Sequence, residues 1–293
     1  MANNSPIDLS TVPAPAVVEV LSFETILAAM VADLQARDPA FTALVESDPA
    51  FKILEVAAYR ETLLRARVNA AAKSVMLAYA SGPDLDQIAA LFGVTRKVIV
   101  AANPAANPPV AEVLESDSDL RFRVQISLEG ISTAGPVGAY VFHALKLASV
   151  KDVAVESPTP GAVRVTILSQ NNNGVPTTTE LNAVAAALNA QDVRPLTDNV
   201  TVQAATIVTY AITATIYVPA GPDAAVVLAN CKAAVEAYAA ARFRIGADIN
   251  LSGIYAALHQ PGVDKVVLTS PVSNIDVSST QAPRCTSISL TLG

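Results

Sequence analysis

Apolar residues recur every three to four positions in two stretches of the N-terminal third, and they predict two helices. From Phe23 to Arg37 the series Phe23, Ile26, Leu27, Met30, Val31 and Leu34 marks one face, with Ser22 placed to cap it. The second stretch is longer. Asp48-Pro49 supplies a capping carboxylate and a proline at the first helical position, and neither Gly nor Pro follows until Gly82-Pro83. A helix from Asp48 to Ser81 would be a rod roughly 50 Å long. Ile53, Val56, Leu63, Leu64, Val68, Ala71 and Val75 form its stripe, and Lys52, Arg60, Arg65, Arg67 and Lys73 are expected largely off it. Such a rod calls for a bundle, and an intermolecular one, although a helix folded back on its own domain carries the same pattern.

Around these helices the punctuation changes. Residues 1–16 read as an extended arm, because Pro6, Pro13 and Pro15 forbid helix, and it needs a partner to order it. Gly82 to Arg96 predicts a short helix with Asp84 at the N-cap, Leu85, Ile88, Ala89 and Leu91 inward and Gly93 at C′. Ala102 to Val110, rich in Pro and Asn, is the expected linker. In ESDSDLRFRVQISLEGISTAGPVGAY, Glu115 to Tyr140, Ser116 or Asp117 caps a helix with an acidic first turn. Leu120, Val124, Ile126 and Leu128 are its apolar positions, and Arg121, Arg123 and Glu129 its solvent or partner face. Gly130 ends it, and Gly135-Pro136 restarts a helix with Tyr140, His143 and Leu147, so Gly130, Gly135 and Pro136 read as a hinge.

Beyond residue 149 the period switches to two. Val150 to Pro158 and Val263 to Pro271 are similar strand segments, each preceded by a Gly-x-Tyr helix, and VRVTIL (163–168) and SISLTL (287–292) are further strands. Helices from Thr179 to Asn189 and Asp223 to Arg242, and a strand from Ile207 to Val218, lie between. The fold class is α+β: a long-helix bundle segment followed by duplicated α/β, ferredoxin-like domains. The divisions are an arm at 1–22, a helical region at 23–101, linker and hinge helices at 102–148, and α+β subdomains at 149–206 and 207–293.

The composition sharpens this. The 293 residues are 52% hydrophobic and 15% charged, an apolar excess that oligomer interfaces would absorb. No run of about 20 apolar residues is free of charge or proline, and the N-terminus lacks a basic segment followed by an apolar one, so a soluble, cytoplasmically made chain without membrane insertion is expected. A net charge of -7 argues against a nucleic-acid partner. Residues 1–50 hold seven acids and one base, residues 51–100 four acids and seven bases, which favours ordered packing between neighbours.

Candidate chemistry is thin. Glu115, Asp117 and Asp119 lack the spacing of a calcium loop, since Arg121 and Phe122 stand where ligands and the turn belong. Cys231 and Cys285 read as reduced thiols, and His143 and His259 as core or interface residues. Tyr59, Arg60, Arg65 and Arg67 suit an exposed helix face better than a phosphate site, and Asn171 to Gly174 is a turn. No nucleotide, metalloprotease or hydrolase motif occurs, so no catalytic, cofactor or metal residue is assigned.

The Glu115–Tyr140 stretch, with GPDLDQIAALFGVTR before it and VKDVAVESPTPGAVRVTILSQNNNG after it, resembles the baseplate J family of contractile phage tails and R-type bacteriocins. RVNAAAKSVMLAYA (67–80), IYAALH and the STQA segment extend the likeness over nearly the whole chain. The resemblance implies a noncatalytic wedge component of the tail baseplate, assembled in the bacterial host cytoplasm. Two copies would join one companion tail protein I-like subunit in a helical bundle, with Ile53, Val56, Leu63, Leu64, Val68 and Val75 as its interface. The C-terminal domains would link neighbouring wedges into a sixfold ring around the spike hub, anchor the sheath and pass on the trigger for contraction. The alternatives are a tail-associated ligand-binding or enzymatic domain, or the equivalent adaptor of another contractile injection system.

Overall fold

The computed structural model describes residues 7–293 except 14, 16, 42–43, 132–135, 192, 196 and 222. It is α+β and divides into two compact units, a helical one of residues up to 96 joined by 116–125, and an α+β one of 97–115 and 126–293.

In the helical unit, α1 (Phe23–Arg37) begins where Ser22 accepts a hydrogen bond from the Thr25 amide, and α2 (Pro49–Ser74) where Asp48 accepts from the Ala50 amide. The rod stops seven residues before Ser81, at 26 residues or about 39 Å. Local propensity would carry the Ala-rich sequence onward, but a distant guanidinium overrides it. Arg121, on α4 (Asp117–Gln125), donates to the carbonyls of Leu77 at 2.6 Å and Ala80 at 2.7 Å, fixing the turns that follow Ser74.

Helix α3 (Gly82–Leu91) starts from Ser81 rather than Asp84 and ends in a Schellman turn: Gly93, at φ +67°, donates to Ala90 and Val94 donates to Ala89. Leu85 and Ala89 are fully buried, whereas Leu91, expected inward, is 84% exposed because the helix turns it away from them. Ser116 caps α4 through the Asp119 amide. Leu120 and Val124 are buried as expected, but the arginines are not a solvent face: Arg123 is buried and donates to the Thr95 carbonyl at 3.2 Å. Carbonyls freed at turns are strong acceptors, and the guanidinium fork reaches them without leaving its charge unpaired.

The α+β unit opens with a hairpin, not a free linker: β1 (Val98–Val100) pairs antiparallel with β2 (Val113–Leu114), and Asn103 bridges Val110. The Lys97 ammonium donates to the Leu147 and Val150 carbonyls just beyond α5 (Val137–Leu145), complementing that helix's negative end. Gly130 lies in a 3-10 turn against Phe142, where a Cβ would overlap the ring, and Pro136 sits at the N-cap of α5; Gly135 lies outside the described residues. Leu128, expected inward, is 62% exposed.

Two three-stranded sheets follow. The first has the order β3-β4-β5, with β3 (Val150–Glu156) antiparallel and β5 (Asn199–Ala204) parallel to β4 (Ala162–Ser169). Central β4 is buried from Val165 to Ser169, as a strand covered on both faces must be. Its crossover to β5 is α6 (Thr178–Leu188), started by a capping box between Thr177 and Glu180. The second sheet has the order β7-β6-β8, with β7 (Lys265–Ser270) antiparallel and β8 (Gln281–Leu292) parallel to β6 (Thr206–Tyr217). Tyr210, Ile212, Ala214 and Ile216 alternate onto the face that packs α7 (Ala224–Arg242) and α8 (Leu251–Leu258), which contribute Val227, Cys231, Val235, Ile254 and Leu258. Helix α7 is long and apolar enough to cross a membrane by length and composition, yet this face of it belongs to the core, and Lys232 and Glu236 interrupt it.

Both sheets place an antiparallel edge, a centre and a parallel edge in the same spatial order, but the chain reaches them differently. The helix-strand pairs α5–β3 and α8–β7 hold matching places, whereas VRVTIL is a central strand and SISLTL an edge. Each sheet has three strands among the described residues, so the four-stranded ferredoxin-like plan is not reached.

The sheets share one extended run, since only Ala205 separates β5 from β6; its amide bonds to Ile167 and that of Thr206 to Thr280. The Asn171–Gly174 turn closes this junction. Asn172, Asn173 and Gly174 have φ of +46°, +59° and +93°, and a Cβ on Gly174 would stand 2.6 Å from Phe243 and 2.9 Å from Leu168. Arg284 donates to the Asn173 side chain at 2.7 Å, and the Asp152 carboxylate accepts the Ile245 amide at 2.7 Å. Gly174→Ala therefore meets both a left-handed backbone and an occupied space. We expect it to lower stability by about 2–4 kcal/mol, read as a shifted urea midpoint.

Candidate interaction face

Helix α2 has two apolar faces. Leu54, Ala58 and Thr62 turn one toward α1, and Ala58 is fully buried there. The same side holds the segment before α1: Asn69 accepts from the Glu19 amide at 3.0 Å and donates to its carbonyl at 2.9 Å, Arg65 pairs with Glu19 at 3.0 Å, and the Tyr79 hydroxyl donates to Val12 at 2.9 Å. Part of the arm expected to need a partner is thus held by this chain's own helix.

The opposite face carries the predicted stripe, and all of it is in solvent. Ile53 is 69% exposed, Leu64 67% and Val75 73%, and Val56, Leu63 and Val68 are exposed as well. At about 100° per residue these six span roughly 140° of arc, a wide apolar seam. Two cations, expected off this seam, stand inside it. Arg60 and Arg67 fall within about 40° of its mid-line.

Electrostatics also hold the helical unit's other end together. Arg96 spans Asp86 and Asp117 at 2.7 Å each, and Asp117 accepts the Gly82 amide at 3.1 Å. Burial opposes ionisation of Asp117, but the Gly82 amide and the Arg96 guanidinium outweigh it, with Arg121 adding to them, and its pKa lies below the ordinary carboxylate value. The acidic stretch of the sequence is therefore a structural clasp. Among the described residues no cluster of three or more His, Cys, Asp or Glu side chains could hold a metal.

Three family domains match in chain order: the Baseplate J-like N-terminal domain over 46–103, the Baseplate J-like central domain over 132–204 and the Baseplate J-like protein C-terminal domain over 210–291. The chain belongs to the baseplate J family. Baseplate protein J of Escherichia phage P2 is 47% identical over 295 residues, covering 98% of this chain and 98% of its own. A chain in the cryo-EM structure of the anti-feeding prophage baseplate aligns with 92% of this one at a TM-score of 0.30 and 11% identity. This chain spans about half that one, 53%, and a likeness of this size carries no argument. Family membership makes the protein a tail baseplate component.

The baseplate J family's central and C-terminal domains hold the remaining candidates. Tyr140 donates to Asp198 at 2.7 Å, not to His143, whose ring stands edge-on to Phe142 at 5.6 Å. His259 is exposed at the end of α8 rather than packed in a core. Cys231 and Cys285 are free, and burial raises both thiol pKa values, which keeps them protonated. A groove of about 410 Å³ is lined by Lys232, Glu236, Phe243, Arg284 and Cys285, whose thiol donates to the Ser287 carbonyl at 3.4 Å.

The depressed Asp117 pKa has a definite sign. Its stabilising contribution is full above the unfolded carboxylate pKa and fades as pH falls through the lower folded value. The stability gap between the protein and Asp117→Asn, measured by urea unfolding at pH 7, 5 and 3, should narrow at the acid end.

Proposed function

We propose that the protein is a noncatalytic wedge component of a contractile-tail baseplate, in which α2 enters a helical bundle formed by two copies of this chain and one companion tail protein. The α+β unit, covering the proposed subdomains at 149–206 and 207–293, links neighbouring wedges into a ring around the spike hub and bears on the sheath. The reading rests on one observation. A baseplate J family member exposes six large apolar side chains on the face of α2 that its own α1 does not cover. Burying a leucine or valine is worth about 1.5–3 kcal/mol, so such a seam is a strong docking surface.

The mechanism is mechanical. Ring contacts that differ between the resting and contracted states let a trigger shift the assembly between discrete arrangements. Bending is placed at Gly130, Gly135 and Pro136. Within that segment Gly130 lets the chain pass close to the Phe142 ring, where any side chain would collide.

Two outcomes test this. Leu64→Asp should abolish co-purification with the companion tail protein, because burying an unpaired carboxylate is costly, while the circular dichroism of the chain alone stays unchanged. Retained co-purification would falsify the bundle. Gly135→Val should give particles that assemble but contract poorly in electron micrographs, and normal contraction removes Gly135 from the hinge.

A further inference from the structure

The bundle face carries its own selection rule, in the two arginines set into the seam. Helix α2 has five basic side chains, and three are engaged within the chain: Lys52 pairs with Glu55 at 2.9 Å, Arg65 with Glu61 at 2.7 Å and with Glu19, and Lys73 lies over the Tyr79 ring at 5.9 Å. Arg60 and Arg67 have no ion-pair partner among the described residues, and both are exposed. Their helical neighbours three and four positions away are Val56, Ala57, Leu63 and Leu64 for Arg60, and Leu63, Leu64, Ala70 and Ala71 for Arg67. No carboxylate of this helix can reach either by the usual spacing.

Whatever covers the seam also meets these charges, since they lie within about 40° of its mid-line. An unpaired guanidinium enclosed in an apolar interface is strongly unfavourable, and a carboxylate opposite it removes the penalty and fixes the register. The seven-residue interval sets the two cations about 10 Å apart on one face. The same face of a second copy fails this requirement. A parallel pairing in register places Arg60 against Arg60 and Arg67 against Arg67, and an antiparallel one centred on Leu63 and Leu64 places Arg60 against Arg67.

We infer that the occupant of this face is an apolar helix of another kind, carrying two carboxylates about one heptad apart, and that Arg60 and Arg67 select it against α2 of a second copy. This rests on the bundle proposed above and deepens it: the companion tail protein sits on the seam, and the second copy of this chain packs elsewhere.

The test compares full-length chains binding the companion tail protein. Arg60→Glu/Arg67→Glu should bind at least about tenfold more weakly than the unaltered chain. Arg60→Gln/Arg67→Gln should lose most of the salt dependence that the unaltered chain shows between low and physiological ionic strength. Undiminished binding by the Glu pair, with Leu64→Asp still inactive, overturns the charge selection but leaves the bundle standing. Undiminished binding by Leu64→Asp as well overturns both. In sedimentation, the unaltered chain alone should form no dimer that Leu64→Asp abolishes, because its seam sets arginine against arginine. A dimer of the unaltered chain that Leu64→Asp abolishes shows the second copy on this face and overturns the inference.

Discussion

One helix with two apolar sides and only one cover governs this molecule. Helix α1 and the segment around Glu19 shield the Leu54–Ala58–Thr62 side of α2, and nothing among the described residues shields the Ile53–Leu64–Val75 side. Apolar area left in water at this scale is a standing driving force for association. The chain's low charge follows from the same condition, because surfaces destined for contact carry fewer ions than surfaces destined for solvent.

Charge then does in this unit what apolar packing alone cannot. Arg96, Arg121 and Arg123 satisfy carbonyls and carboxylates where helices stop and turn, so the short helices α3 and α4 are fixed by directed bonds as well as by Leu85, Leu120 and Val124. These arginines are spent inside the fold, whereas Arg60 and Arg67 face outward in an apolar setting. The contrast separates residues that build the unit from residues that present it.

Much of this is legible in the sequence, and the rest depends on contacts that local pattern does not encode. The caps at Ser22 and Asp48, the Gly93 turn, the left-handed Asn-Gly turn and the alternating strands are local signals, and local chemistry decides them. The end of α2 was misplaced because Arg121 acts on it from far along the chain, and no propensity encodes that contact. Arg121 and Arg123 read as surface because a basic residue on a short helix usually is; only the fold shows the carbonyls waiting for them. The hairpin hidden in the Pro/Asn stretch was concealed for another reason. Its pairing is short and lies outside the proline-rich tip, between Val98–Val100 and Val113–Leu114. On the seam, the spacing alone sets Arg60 and Arg67 among the apolar residues, at about 100° per position.

The α+β unit is organised around a different constraint, two sheets that share one stretch of chain. A single extended run from Asn199 to Tyr217, broken only at Ala205, belongs to both sheets, so neither can tilt without disturbing ladder bonds in the other. The turn at Gly174 against Phe243 and the Asp152 carboxylate on the Ile245 amide tie the same junction from its two sides. Packed interiors and complete ladders deform little before they break. Compliance in such a unit must therefore sit outside the sheets, in turns whose backbone bonds are few. Among the described residues, the 3-10 turn at Ser127–Ile131 lies outside both sheets and meets that condition better than any point within the strands.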